Sequence, residues 1–419
     1  MKVLFLATSG QMGGAETSLA NLMEGLQELH PEWQLNLLLS EDGPFATRAN
    51  HLGIAVQVLA IPRELAGVGS GTRLGRGWVR RALRFLMATL RYRARLKAAI
   101  REFRPDVIHT NGFKMHFLVA SISRRESGGG DVRLCHIHDY VSGRPLERWL
   151  LKAGSGRYDR IVAVSNSVAA ELLTIPLPRR KVTAIHNGTP IERFSPDGET
   201  LDLDRLSNLS PASPGAVRVG LVAVFAKWKG HVAFMRALAL LPPSLNLRAY
   251  VIGGPIYQTS GSQCTLGELR AAADKYCPGV SLGFTGQVER IESAYRALDI
   301  VVHASTDPEP FGMVIIEAMA CKKPVIVSRC GGADEVFVDG VTALAHNPGD
   351  FAMLARQIER LAGDANLRLS LGESGHATVA ARFQASIMAA RFAELYCTLI
   401  AATQAAAGRN SKGGGKCFA

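Results

Sequence analysis

Four groups of residues in this sequence have types and spacings that can do chemistry. Gly13-Gly14-Ala15-Glu16 lies between an apolar run and a helical pattern. Two glycines there let backbone approach a ligand, and a helix N-terminus offers unpaired N–H groups and the positive end of its dipole. A phosphate is one guest; a plain tight turn is the other reading. In Glu309-Pro310-Phe311-Gly312-Met313-Val314-Ile315-Ile316-Glu317, Glu309 falls in a loop, Gly312 opens a helix and Glu317 sits in its second turn. Carboxylates so spaced can bracket a ligand laid over the helix N-terminus, one of them holding a hydroxyl-rich part such as ribose. A solvated helical Glu317 fits poorly with the apolar Met313–Ile316 and Ala318-Met319-Ala320 around it. Lys227-Trp228-Lys229-Gly230-His231 follows a strand-like run, so both lysines stand where open α/β sheets bind ligands and can neutralise a diphosphate. Two solvated lysines are the alternative. His138-Asp139 ends another strand-like run as a hydrogen-bonding group, a base or a bland loop pair. No H-x-x-x-H or G-x-x-x-x-G-K-[ST] is present, so nothing points to a zinc protease or a P-loop NTPase.

The elements that must position these residues alternate along the chain. Strand-like apolar runs at Val3–Ala7, Leu35–Leu39, Val56–Leu59, Val107–Thr110, Leu134–Ile137, Arg160–Val164 and Val182–Ile185 are separated by helical stretches or loops. A second series runs through Val217–Val224, Leu247–Ile252, Val280–Phe284, Ile300–Ala304, Pro324–Ser328 and Ala343–Ala345. This pattern predicts an α/β protein with two doubly wound parallel sheets. The expected layout is a first domain over 1–194 and a linker or exposed loop over 195–216, rich in Pro and Gly. A second domain covers 217–382, a C-terminal helix 383–407 and a disordered tail 408–419.

The 419 residues are 47% hydrophobic and 20% charged, an ordinary globular composition that excludes wholesale disorder. The net charge of +12 is lopsided: 26 Lys/Arg against 15 Asp/Glu in residues 1–190, and 22 against 21 in the remainder. The basic half suits an anionic membrane, a phosphorylated substrate or nucleic acid. Much of its charge lies in 73–104, with eleven Lys/Arg and one acidic residue, Glu102. In a helix Val79, Leu83, Leu86 and Leu90 share one face, while Arg80, Arg84, Arg91 and Arg95 lie on a neighbouring one, with Arg81 close by. That pattern suits an anionic membrane surface; a helix packed on its own domain is the alternative. Seven cysteines without C-x-x-C argue against a disulfide framework or a zinc site and for a reducing cytosol. The apolar run at Val3–Ala7 is shorter than a signal peptide's, and the uncharged tract Leu395–Ala407 is shorter than a bilayer requires. The expected location is cytoplasmic, peripheral on the inner face of the plasma membrane.

Taken together, these motifs resemble the retaining GT-B glycosyltransferases of glycosyltransferase family 4, over essentially the whole chain. The resemblance rests on Gly13-Gly14-Ala15-Glu16, His109-Thr110-Asn111-Gly112, His138-Asp139, Ser165-Asn166-Ser167 and Asn187-Gly188. It continues through Lys229-Gly230, Glu309 to Glu317 and Gly331-Gly332-Ala333-Asp334-Glu335. It implies two Rossmann-like domains facing each other across a cleft, a UDP- or GDP-sugar donor and a glycan or lipid-linked acceptor. No metal, no cofactor and no nucleic-acid partner are implied. Gly13 and Gly14 then face the donor diphosphate and sugar, His138 bonds the donor sugar and Lys229 binds the diphosphate. Glu309 lies near the transferred sugar and Glu317 holds ribose. Backbone N–H groups of Phe311, Gly312, Met313 and Val314 meet the diphosphate; Asn111, with the arginines Arg80, Arg81 and Arg84 of the basic helix, is expected on the acceptor or membrane side. One departure stands out: the family's arginine five residues before the lysine is here Val224, and Lys227 is its expected substitute. A sugar-nucleotide epimerase or hydrolase on the same fold, and a non-catalytic glycan- or nucleic-acid-binding protein, are the competing readings.

Overall fold

The structure is a computed structural model and describes residues 1–62, 64, 78–255 and 262–413. It divides into two units, Met1–Ile185 with Met388–Ala419, and His186–Ile387.

The first unit holds a parallel sheet of seven strands: β1 (Lys2–Ala7), β2 (Gln34–Leu39), β3 (Ala55–Val58), β4 (Val107–Asn111), β5 (Val132–Ile137), β6 (Arg160–Ala163) and β7 (Val182–Ala184), in the order β3-β2-β1-β4-β5-β6-β7. The second holds six, again all parallel: β8 (Val217–Val222), β9 (Leu247–Ile252), β10 (Leu282–Gly286), β11 (Ile300–His303), β12 (Val325–Ser328) and β13 (Leu344–His346), in the order β10-β9-β8-β11-β12-β13. The apolar runs become strands because burial on both faces demands continuous Val, Leu and Ile. In both sheets the order of strand addition reverses at a central parallel pair, β1 with β4 and β8 with β11. Crevices at the carboxyl ends of such pairs are where open α/β sheets bind ligands.

Several boundaries differ from those read in the sequence. The segment 195–216 belongs to the second unit rather than bridging out of it. It carries a short helix, Leu203–Leu206, capped by Asp202, whose side chain accepts from Arg205 N–H. Asp204 is buried there, accepting from Tyr250 Oη at 2.8 Å and Ala212 N at 2.9 Å, with Arg248 Nη1 at 3.5 Å. Asp202-Leu203-Asp204 has the D-x-D spacing of metal-bridged sugar-nucleotide sites, but one aspartate caps a helix and the other is bound within the fold. A helix at Ala365–Arg382 was not legible in the hydrophobic pattern. Its Gly372 and Gly375 occupy places where a Cβ would lie 2.2 Å from Lys322 O and 3.0 Å from Met319 Cγ, so close packing uses glycine instead of a periodic apolar stripe.

The last helix, Ala385–Gly413, has a 22-residue stretch long and apolar enough to cross a membrane. Here Met388, Ala389, Phe392, Ala393 and Tyr396 of that stretch are buried in the first unit's core with Phe5, Leu22 and Val162. The expected disordered tail falls partly in this helix, and 414–419 lie outside the described residues.

Candidate active site

In the second unit the loops after β8 and β11 are pressed together. Gly230 adopts φ +76°, and a Cβ on it would lie 1.8 Å from Ala304 O. Thr306 N–H donates to Trp228 O at 2.8 Å. This contact carries Lys229 to Glu309: Nζ donates to Oε2 at 2.7 Å and lies 3.9 Å from the Trp228 ring centroid. The same Oε2 also accepts from Ser305 Oγ at 3.0 Å and lies 3.2 Å from His303 Nε2. Glu309 is fixed through its backbone too, N–H to Cys330 O at 3.2 Å and O from Gly332 N–H at 2.7 Å. Burial would raise the Glu309 carboxyl, but Lys229, with help from His303, holds it well below the usual carboxylate range. Glu309 is therefore a permanent anion that orients Lys229, with little basicity for proton transfer.

Three residues beyond Glu309, Gly312 (φ +96°) caps the helix Met313–Ala320. No side chain caps that N-terminus and no acidic residue lies in its first turn, so its dipole is unanswered. Met313 and Val314 are half-buried on its first turn; Phe311 is buried against the rings of His186 and Phe383. Thus Phe311 is core, and only its backbone can serve a ligand. Glu317 is buried and accepts from Tyr295 Oη at 2.9 Å. This bond to a fully buried phenol fixes the carboxylate's direction. If Glu317 holds donor ribose, Glu317→Ala should weaken donor binding more than tenfold, about 1.4 kcal/mol, with the fold retained. Donor titration by calorimetry decides; unchanged affinity in the folded variant removes the role.

The structure separates the two lysines. Lys227 is exposed, and its charge bears on Glu268 and Cys264 rather than on Glu309. Val224 is partly exposed, two residues past the end of β8.

In the first unit, Gly13 is the N-cap of the helix Gly14–Leu29, and its N–H already donates to Glu16 Oε2 at 3.2 Å. That carboxylate answers the helix dipole where a phosphate was expected. A Cβ on Gly14 would meet nothing within 4 Å, so the space over it is open. Across the switch point Gly112 (φ +95°) packs on Thr8, and Asn111 ends β4. His138 follows β5, its ring 4.1 Å from that of His136. His136 Nδ1 lies 3.1 Å from His109 Nε2, and His109 Nδ1 lies 2.6 Å from Tyr396 Oη. Four buried polar atoms gathered at the ends of β1, β4 and β5 have no partner among the described residues: Thr8 Oγ1, Asn111 Oδ1, His136 Nε2 and His138 Nε2. Buried polar groups are ordinarily satisfied, so four unpartnered atoms at the carboxyl ends of three neighbouring strands stand out. Arg80 and Arg84 are exposed on the helix Trp78–Phe103, and the side chain of Arg81 lies outside the described residues.

Burial lowers His109, His116 and His138 from about 6.5 to about 3, and His136 well below its ordinary value. Unfolding frees these rings to bind protons, so stability is full above about pH 6.5 and is lost as pH falls towards 3. For His109 alone the loss between pH 7 and 5 is on the order of 2 kcal/mol. A falling melting temperature across that interval is the expected result, and a flat one contradicts it.

Sequence reasoning did not find His303 and Ser305, Tyr295, Thr8 or Tyr396. His303 and Ser305 are two apart at the end of β11 and so share a face, a signal available in the spacing. Tyr396 had none, because it joins His109 from 287 residues away.

The sequence model described as "Glycosyl transferases group 1" matches residues 211–378, and that of "Glycosyltransferase Family 4" matches 12–193. Among curated relatives, the D-inositol 3-phosphate glycosyltransferase of Streptomyces bingchenggensis is 33% identical over 58% of this chain and 53% of its own. The capsular polysaccharide biosynthesis glycosyltransferase CapM of Staphylococcus aureus is 28% identical over 57% of this chain and 62% of its own. The chain thus spans about half to three fifths of the length of these relatives. Among solved structures, Anabaena HepE in complex with UDP and glucose superposes with a TM-score of 0.76 at 24% identity, covering 94% of this chain and 99% of that one. Sucrose-phosphate synthase from Thermosynechococcus elongatus gives 0.73 at 22%, covering 96% and 100%. These likenesses show the fold.

Proposed function

The chain belongs to the family 4, group 1 glycosyltransferases and has their GT-B fold, and from that premise we propose that it moves a sugar from a UDP- or GDP-sugar to a glycan or lipid-linked acceptor. In this reading the anomeric configuration is retained and neither metal nor cofactor takes part. The observation that carries it is Lys229, held by Glu309 beside the uncapped start of Met313–Ala320 at the second sheet's switch point. A cation and a bare helix N-terminus are what a departing nucleoside diphosphate needs, since negative charge grows on it as the sugar leaves. Glu317 holds ribose, and the departing phosphate oxygen accepts the acceptor's proton, so no protein nucleophile is required. HepE, solved with UDP and with UDP-glucose, supports a nucleotide-sugar donor. His138, Asn111 and the open space over Gly14 receive the sugar and acceptor in the first unit. The test is a thermal-shift screen of UDP- and GDP-sugars, followed by the anomeric configuration of the product by NMR. A cognate donor raises the melting temperature; no shift with any of them, or an inverted product, overturns the reading.

An anionic membrane surface is the proposed setting for a lipid-linked acceptor, on the cytoplasmic side. The described cysteines are all free, which suits a reducing compartment. The helix Trp78–Phe103 has two halves. Tyr92, Leu96 and Ile100 are buried in the first unit, whereas Leu83, Leu86 and Leu90 are 59, 52 and 50% exposed, beside exposed Arg84 and Arg91. Leu83→Ser with Leu86→Ser should abolish co-sedimentation with anionic liposomes at low salt without loss of melting temperature. Equal absence of wild-type binding to anionic and neutral liposomes removes the membrane from the proposal.

A further inference from the structure

At the amino ends of β6 and β7, the edge of the first sheet opposite to the candidate site, lies a cavity of about 440 Å3. Its charged lining is Arg124, Asp159, Arg160, Arg180 and Lys181. Its apolar wall is the last helix, through Leu399, Ala402 and Ala406. Four cations and one carboxylate leave a formal excess of three positive charges. The single carboxylate is engaged already, since Asp159 pairs with Arg124 and also accepts from Arg133 N–H at 2.8 Å. Lys181 Nζ is held, among the described residues, by carbonyl oxygens: Tyr158 O at 2.5 Å, Ser155 O at 3.2 Å and Gly156 O at 3.4 Å. Arg160 donates through Nη1 to Arg180 O, while its Nε is buried and has no partner among the described residues.

Cations held together at this density repel one another unless an anion stands between them. Lys181 feels that repulsion: burial lowers its ammonium, Asp159 raises it, and Arg180 and Arg124 lower it further. A volume of 440 Å3 is within the range of small-molecule sites and exceeds what one water or a simple ion needs. The apolar wall gives the rest of the ligand something to rest on.

From these cations and the cavity they line, we infer a second anion site, at the amino edge of the first sheet, that takes the phosphate or diphosphate group of a phosphorylated molecule. The site stands apart from the transfer reaction and does not depend on the proposed donor. Its phosphate comes from a soluble metabolite or from a lipid headgroup, and these sources share the chemistry of recognition: charge-assisted N–H donors from Arg160 and Arg180 with Lys181 as a point charge.

The test is calorimetric titration of inorganic pyrophosphate into the full chain carrying Lys229→Ala, which disables the proposed diphosphate site of the second unit. Binding should persist there and weaken at least tenfold when Arg180→Gln is added. Arg180 is exposed, so this variant should fold, and its melting temperature checks that it does. Arg160→Gln should act in the same direction. A parallel arm measures co-sedimentation with vesicles containing phosphatidic acid. Binding to vesicles alone, lost in both arginine variants, assigns the site to a lipid phosphate; pyrophosphate binding assigns it to a soluble one. Absence of both, or binding indifferent to Arg160 and Arg180, overturns the inference. Loss of donor activity in Lys229→Ala with pyrophosphate binding retained separates this inference from the reading of the transfer site.

Discussion

Lys229→Ala should lower kcat/KM for sugar transfer by about a hundred- to a thousandfold, or ~2.7–4 kcal/mol of transition-state stabilisation. Among the described residues Lys229 is the one lysine or arginine on Glu309, and its ammonium is mostly shielded from water. Part of the loss could come from structure, since removing Lys229 leaves a buried carboxylate. Ser305 and His303 still attend that carboxylate, so the stability cost should be roughly 1–3 kcal/mol. The double variant Lys229→Ala, Glu309→Gln separates the two effects. It removes the stranded charge, so the melting temperature should recover while transfer stays low. Lys227→Ala is the comparator and should cost less than about tenfold, because Lys227 is exposed and its charge bears on Glu268. Steady-state kinetics on the folded variants decides. Near-normal kcat/KM in Lys229→Ala, or a larger loss in Lys227→Ala, would sink the assignment.

Gly230→Ala should be among the most damaging single substitutions available. The residue sits at φ +76°, and a Cβ would stand 1.8 Å from Ala304 O, a backbone atom that cannot rotate away. Either strain or displacement of the β11 loop must follow, at about 3 kcal/mol or more. For a unit of about 200 residues this is roughly 6–12 °C in melting temperature. The same displacement pulls Lys229 from Glu309, so donor binding should weaken in whatever fraction remains folded. Gly14→Ala is the internal contrast, because a Cβ there meets nothing and the fold should be indifferent. Equal melting temperatures for Gly230→Ala and wild type would contradict the packing described.

Much of this architecture is written locally. The strands of both sheets fall within about two residues of the apolar runs that announce them, because strands buried on both faces need uninterrupted Val, Leu and Ile. Glu309 and Glu317 were legible for a related reason: acidic residues in so apolar a stretch must have partners. Their partners were not legible. Glu309 meets Lys229 across 80 positions, and Tyr295 reaches Glu317 across 22. Ala365–Arg382 escaped because its glycines serve helix contact and erase the periodic stripe. Segment 195–216 looked like a linker because Pro and Gly mark turns, whereas the buried Asp204 that ties it down is one polar residue with no local signature. Lys227 and Lys229 are alike in sequence and differ only in which side of a single helical turn faces Glu309.

The return of the last helix to the first unit bears on how this protein is made. The chain leaves the first unit after Ile185 and comes back only at Met388. While residues 1–185 emerge from a ribosome, the surface that Phe392 and Tyr396 will cover has no cover, and His109 lacks its phenol partner. The intervening unit, one uninterrupted stretch from 186 to 387, carries all its own core and can condense as it is synthesised. Assembly order is therefore the reverse of translation order: the half born first is finished last, after closure of a loop of some two hundred residues, and any nascent chain stalled before Met388 presents an unfinished apolar face to chaperones and proteases.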